Sequence, residues 1–196
     1  MTTAEFTDNC GVNHFNSLMK KLGWVFMGDS READLKGVDG TYKLGYATIY
    51  VQIKSANLVV NSPSKKRWHW NIFSKKETLP IEFYGEKDCF LGLVGLDIIE
   101  MPYTETDLTI KGKRPIQFIE AKEPKIGVIP GDMVIKHFQK DARKSNKITL
   151  GENSRSKWSE YFDREDRENT KKLLLREFER QTKIRDGLAR RTAGGC

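Results

Sequence analysis

The sequence predicts an α/β protein with a central mixed β-sheet, flanking helices and a charged helical C-terminal extension. Two stretches predict the sheet: residues 47–55 (ATIYVQIKS) alternate in polarity, and residues 88–99 form an almost continuous apolar run. Apolar residues at helical spacing over 10–22 predict a flanking helix. The charged, helix-forming residues from Trp158 onward predict the extension.

Length and cysteine usage restrict the domain organisation. The chain has 196 residues, 38% of them hydrophobic, which suffices for one core without covalent or metal staples. We expect this core over residues 1–150 and a helical region over 151–196, packed on the core or on a partner subunit. Cys10, Cys89 and Cys196 are far apart and form no Cys-x-x-Cys pair, which argues against a disulfide framework or a zinc ribbon.

The formal net charge is +7, which permits a polyanionic partner such as DNA. The first ten residues (MTTAEFTDNC) contain acids and lack the apolar segment of a signal peptide. No apolar run reaches the ~20 residues that span a bilayer. We therefore expect a cytoplasmic protein in a reducing environment, with no membrane contact and no small-molecule cofactor.

The first elements are a helix and a short strand. The helix over 10–22 would be capped by Asp8 or Asn9 and ended by Gly23. Residues 24–28 (WVFMG) then predict the strand.

Later elements are less regular. Pro102 and the threonine-rich residues 103–115 predict a surface excursion or an edge hairpin. Residues 127–145 predict a loop, followed by a helix that starts near Asp132.

A polar face on an otherwise apolar strand is the main functional signal. Residues 38–43 predict a strand, Gly45 a turn, and the return strand then places Gln52 and Lys54 on the same face. The opposite face is apolar and suits a core, with Ile49, Val51 and Ile53. Asp39 precedes Gln52 by 13 positions, so a hairpin would bring their oxygens together, with the Lys54 ammonium beside them.

These residue types suit hydrolysis of a phosphodiester. Oxygen ligands and solvent are what Mg²⁺ prefers, and Mn²⁺ would substitute. A neighbouring lysine would orient or deprotonate the attacking water, or stabilise negative charge on the phosphate.

The segments "GVDG" and "VQIK" (37–40 and 51–54) resemble the catalytic signature of the PD-(D/E)XK nuclease superfamily. That pattern is an Asp at a strand start, a hairpin and an acid-x-Lys strand, all preceded by a helix. The resemblance implies a restriction-endonuclease-like fold, with Asp39 and Gln52 as metal ligands and Lys54 acting on the attacking water. It covers roughly residues 10–57.

This chain varies the pattern at two places. Gln52 stands where the family usually has Glu or Asp, and a neutral amide binds a cation more weakly than a carboxylate. The helix of the pattern often supplies a further Glu, whereas Asn13 falls nearest to that place here. Four acids remain as alternatives: Glu5, Asp8, Glu32 and Asp34.

Residues 65–70 (KKRWHW) interleave cations with aromatic residues. Three consecutive cations would contact DNA phosphates: Lys65, Lys66 and Arg67. Trp68 or Trp70 would pack against sugar or base. The alternative is a strand with both tryptophans in the core and the cations in solvent.

The C-terminal helix mixes nearly equal numbers of acids and bases, which is typical of a solvated face or an oligomer contact. Arg185, Arg190 and Arg191 would still reach DNA.

Together these features predict a Mg²⁺-dependent endodeoxyribonuclease that makes restriction-type or homing-type cuts in duplex DNA, as a homodimer by resemblance. The alternatives are a Holliday-junction or repair nuclease of the same fold, a non-catalytic DNA-binding module, and a protein-interaction domain that uses the C-terminal helix.

Overall fold

The computed structural model describes residues 2–28, 38–62, 65–72, 84–85, 88–102, 116–139, 147–151, 158–162 and 168–193. The described residues form an α/β structure, as predicted, with a mixed central sheet and a C-terminal helix. The helices are α1 Thr3–Lys21, α2 Gly131–Gln139 and α3 Glu168–Ala193, with a 3₁₀ turn at Ser159–Tyr161. The strands are β1 Val25–Phe26, β2 Gly40–Leu44, β3 Ala47–Asn57, β4 Val59–Ser62, β5 Lys65–Asn71, β6 Cys89–Leu96, β7 Ile98–Pro102, β8 Ile116–Glu120, β9 Lys125–Pro130 and β10 Lys147–Gly151.

The central sheet has the order β1-β2-β3-β6-β9. The first three strands form an antiparallel meander, β6 pairs parallel to β3, and β9 pairs antiparallel to β6. Every residue of β6 is buried, as the apolar run predicted. The run does not continue as one strand to residue 99, because the Asn57 side chain bonds both the N–H and the C=O of Ile98 and β7 leaves the sheet there.

Helix α1 packs on one face of this sheet at very close range. A methyl group at Gly11 would lie 1.9 Å from the Ser55 hydroxyl oxygen, and one at Gly92 would lie 2.5 Å from the Phe15 ring. Only glycine permits this approach of helix to strand. Leu174 of α3 is buried in the same apolar cluster, so the C-terminal helix also packs on the core.

The ends of α1 correct one prediction and confirm another. The helix starts at Thr3, seven residues earlier than predicted, because Thr2 and Glu5 form a capping box. Asp8 and Asn9 therefore lie inside the helix and do not cap it. Gly23 ends it as predicted: its φ is +84°, and the Trp24 N–H donates to the Met19 carbonyl at 2.9 Å.

A second sheet covers the opposite face of the central sheet, with the order β10-β5-β4. Trp68 and Trp70 of β5 are 3% and 1% exposed. Their indole N–H groups donate to the Leu96 and Val94 carbonyls at 2.8 and 3.1 Å. The prediction that a tryptophan contacts sugar or base is therefore wrong, and the alternative is confirmed for the position of both tryptophans in the core. Its second part, the cations in solvent, is not confirmed, since Lys66 and Arg67 are half-buried.

The remaining elements refine the sequence predictions. The predicted loop before α2 is instead the end of β9, whose glycine and proline obscured the pattern of a buried strand. Pro102 ends β7, which pairs antiparallel with β8 in a separate two-stranded sheet. The excursion or edge hairpin predicted for residues 103–115 lies outside the described residues. No helix among the described residues is long and apolar enough to cross a membrane.

Candidate functional site

Asp39 lies directly before β2 and is held by β3 through both its backbone and its side chain. Its N–H donates to the Val51 carbonyl at 3.0 Å, and its carboxylate accepts the Ile53 N–H at 2.7 Å. The carboxylate therefore bonds the residue that stands between Gln52 and Lys54. Because β2 and β3 are joined by the short turn at Gly45, the sequence brings these residues together locally.

Gln52 and Lys54 share the β3 face that points away from α1. Gln52 is 8% exposed and lies beside Leu91 of β6, while Lys54 is half-buried beside Leu93. Among the described residues, none forms an ion pair or a hydrogen bond with the Lys54 ammonium. With no ion-pair partner in the described part of the chain, this ammonium offers its charge to an anionic ligand.

Tyr84 is a member of the site that the sequence analysis missed. It is fully buried, and its hydroxyl donates a hydrogen bond to Gln52 Oε1. Burial raises the pKa of the Tyr84 phenol, and the charge of Asp39 raises it further, followed by that of Cys89. The phenol is thus a hydrogen-bond donor to the Gln52 oxygen.

Helix α2 fixes the position of Tyr84. A methyl group at Gly131, the first residue of α2, would lie 2.6 Å from the Tyr84 carbonyl oxygen. The Tyr84 backbone therefore sits directly against the start of this helix. No sequence motif marks Tyr84, which follows Phe83 and precedes Gly85 in a short segment without a regular polarity pattern.

The donor set fits a hard cation only in part. Asp39 offers an exposed carboxylate, and the Gln52 amide oxygen keeps one lone pair besides the one that accepts from Tyr84. Within the described ranges, no three His, Cys, Asp or Glu side chains gather in a way that would hold a metal ion. Oxygen donors and open space for water are still what Mg²⁺ uses.

Five residues were candidates for the place of the further acidic ligand, and none of them is found beside Gln52 in the described part of the structure. Glu32 and Asp34 lie outside the described residues. The Glu5 carboxylate accepts the Thr2 N–H at 2.7 Å in the capping box, which also lowers its pKa. Asn13 and Asp8 are exposed on α1, which packs on the opposite face of the sheet from Gln52.

The predicted DNA-binding cations are not on one surface. Lys65 begins β5, and its side chain lies outside the described part. Lys66 and Arg67 are neighbours in a strand and therefore point to opposite faces of the second sheet.

Comparison of the chain with models of protein families, with curated proteins and with solved structures gave no match.

Proposed function

We propose that this protein is a metal-dependent endonuclease that hydrolyses phosphodiester bonds of duplex DNA inside the cell. One observation supports this most directly: the Asp39 carboxylate accepts the N–H of Ile53, between Gln52 and Lys54. This bond holds an acid beside the strand segment that carries an amide and a lysine, and that lysine has no ion-pair partner in the described part of the chain. That is the chemistry of a phosphodiester-hydrolysing site.

The order of elements around the site also supports the proposal. A helix comes first, Asp39 stands at the start of a strand, and a tight hairpin leads to the strand with Gln52 and Lys54. This is the order implied by the resemblance to the PD-(D/E)XK nucleases. We therefore propose a restriction-endonuclease-like fold for the core.

Asp39 and Gln52 would hold the metal ion, with Mg²⁺ as the natural ion and Mn²⁺ as a substitute. When bound, such an ion would act as a Lewis acid toward a phosphate oxygen. The Tyr84 hydroxyl fixes the rotamer of Gln52, so its oxygen stays in place without a ligand. Asp39 is held by the Ile53 N–H in the same way.

Lys54 would act on the nucleophile and on the phosphate. Its ammonium would donate a hydrogen bond to the attacking water, or stabilise the negative charge that builds on the phosphate oxygens. The water oxygen forms a new bond to phosphorus while the bond from phosphorus to the ester oxygen on the opposite side breaks. The proton of the water passes to solvent, and the leaving oxygen takes a proton from solvent. The products are a phosphate monoester and an alcohol.

The partner would be duplex DNA, which matches the net charge of +7. The resemblance to the PD-(D/E)XK nucleases implies a dimer, because members of that superfamily that cut both strands usually dimerise. We therefore include a homodimer in the proposal.

The test is cleavage of supercoiled plasmid with Mg²⁺, with Mn²⁺ and with EDTA. Lys54→Ala should lower the cleavage rate by about 10²–10⁴-fold, as expected for loss of a catalytic proton donor or acceptor. Asp39→Asn should abolish the metal-dependent cleavage, while its amide keeps an oxygen that accepts the Ile53 N–H. The matched control is Lys43→Ala, an exposed lysine on the adjacent β2. Wild-type rates in Lys54→Ala would refute the assignment.

A non-catalytic DNA-binding module is the second candidate. It is favoured by the neutral Gln52, whose oxygen already accepts a hydrogen bond from Tyr84. Salt-dependent binding of duplex DNA, without cleavage under any metal condition, would select this candidate.

A further inference from the structure

The second sheet has an inner and an outer face of opposite character. Trp68, Trp70, Ile148 and Leu150 form the buried inner face. The outer face alternates with them along β5 and β10. We call it the basic sheet face, and it consists of Arg67, His69, Asn71, Lys147 and Thr149.

Like charges are concentrated on the basic sheet face. Thr149 lies directly opposite His69, with 2.9 Å between Oγ1 and Nδ1, and Lys147 lies opposite Asn71. The pKa of His69 is lowered, first by partial burial and then by the charges of Arg67 and Lys147. Among the described residues, no carboxylate forms an ion pair with Arg67 or Lys147. None of the described residues that form this face is an acid, unlike an ordinary mixed-charge surface.

The side chains of this face are all suited to phosphate. Arg67 and Lys147 supply charge, while the Asn71 amide and the Thr149 hydroxyl supply neutral donors. Single-stranded nucleic acid is usually held by bases stacked on exposed aromatic rings. The tryptophans of β5 point inward and are buried, so the described part of this face offers contacts to phosphates and, for stacking, only the half-buried His69 ring.

We propose that the basic sheet face binds the phosphate backbone of duplex DNA, as a contact surface separate from Asp39, Gln52 and Lys54. The two proposals share only the substrate class of the proposed function. The face is the outer side of the second sheet, and the buried tryptophans separate it from the central sheet.

The same geometry makes binding depend on pH. Arg67 and Asn71 flank His69 along β5. On β10, Thr149 lies opposite His69 and Lys147 lies opposite Asn71, while β4 contributes the uncharged Val59 opposite Arg67. A phosphate placed between Arg67 and Lys147 would offset their repulsion and favour protonation of His69. Duplex binding should therefore tighten as the pH falls from about 7 to about 5.5.

The test is fluorescence anisotropy with a labelled duplex in EDTA, at several salt concentrations. Replacing Arg67 and Lys147 by Gln should reduce the slope of log K against log salt by about 2, since two phosphate contacts are lost. The matched control replaces Lys20 and Lys21 by Gln, which removes the same charge from the exposed end of α1. This control should leave the slope unchanged. His69→Asn should remove the pH dependence.

Three outcomes would overturn the inference. The first is an equal loss of duplex affinity in both double variants, and the second is no binding of the wild-type protein to duplex at low salt. The third is that the Arg67/Lys147 variant loses affinity only for single-stranded RNA or for an acidic peptide. Cleavage assays separate this from the catalytic proposal. If Lys54→Ala binds duplex normally and the Arg67/Lys147 variant does not, the basic sheet face stands, whether or not the wild-type protein cleaves DNA.

Discussion

The hydroxyl of Tyr84 makes the most sharply testable contact of the site. Replacement by Phe removes one oxygen and leaves the ring in place, so the variant reports on the hydrogen bond to Gln52 Oε1. Tyr84 is 0% exposed and Gln52 is 8% exposed. Water therefore has little access to the oxygen that the substitution leaves unpaired.

The expected cost is that of a buried acceptor without a donor, about 1–3 kcal/mol of the free energy of unfolding. For a chain of this length, each kcal/mol lowers Tm by about 2–4 °C. The matched control is Tyr46→Phe, which removes a hydroxyl that pairs with Thr182 at the exposed surface. That control should change stability by less than about 0.5 kcal/mol.

Urea unfolding followed by tryptophan fluorescence measures both variants. A double-mutant cycle with Gln52→Met isolates the pair, because removing both polar partners should cost much less than the sum of the single changes. A Tyr84→Phe variant as stable as the wild type, with no coupling to Gln52, would refute the reasoning.

The raised pKa of Tyr84 adds a dependence on pH. The folded state holds the phenol proton more tightly than the unfolded state, so this stabilisation is complete below the ordinary tyrosine pKa of about 10 and is lost above it. The stability difference between the wild type and Tyr84→Phe should therefore shrink between about pH 9 and pH 11.

Two further predictions concern the packing that supports the site. Gln181→Ala removes two hydrogen bonds to the backbone of Thr48, at 2.9 and 2.7 Å. It should lower the free energy of unfolding by about 1–2 kcal/mol and speed amide exchange at Thr48. The control Gln117→Ala, on the exposed β8, should do neither, and equal effects of the two variants would contradict the prediction. Gly92→Ala should destabilise the protein by about 1–3 kcal/mol, because its methyl group would meet the Phe15 ring. Gly187→Ala on α3 should stabilise it by about 0.5–1 kcal/mol, because nothing lies within 4 Å of the new methyl group. Stability changes of the same sign for both variants in urea unfolding would refute the packing argument.

The strands of the site could be predicted because their signals are local. Alternation in residues 47–55 and the glycine turn before it determine β2, β3 and the face shared by Gln52 and Lys54. Asp39 could be placed beside them because a two-strand hairpin fixes its register. Each of these inferences needs only neighbouring residues.

The parts that could not be predicted depend on distant contacts. Tyr84 joins the site through the start of α2, 47 positions further along the chain at Gly131. Trp68 and Trp70 can be buried because their indole N–H groups donate to carbonyl groups of β6. The sequence of β5 gives no indication of these partners. The start of α1 was missed for another reason, since the capping box at Thr2 precedes the apolar pattern used to find the helix.

The exposure of Asp39 and the burial of Gln52 explain why an amide suits the second position. A glutamate at Gln52 would put a second negative charge in a nearly buried place close to Asp39, where burial and repulsion both disfavour ionisation. The neutral amide avoids that cost, and the Tyr84 hydroxyl satisfies its oxygen. The site can therefore hold its shape without a cation to offset repulsion between acids. The proposed metal ion would be attracted less strongly as a result, with Asp39 as the main source of negative charge. Asp39→Asn is therefore the decisive substitution for the proposed function.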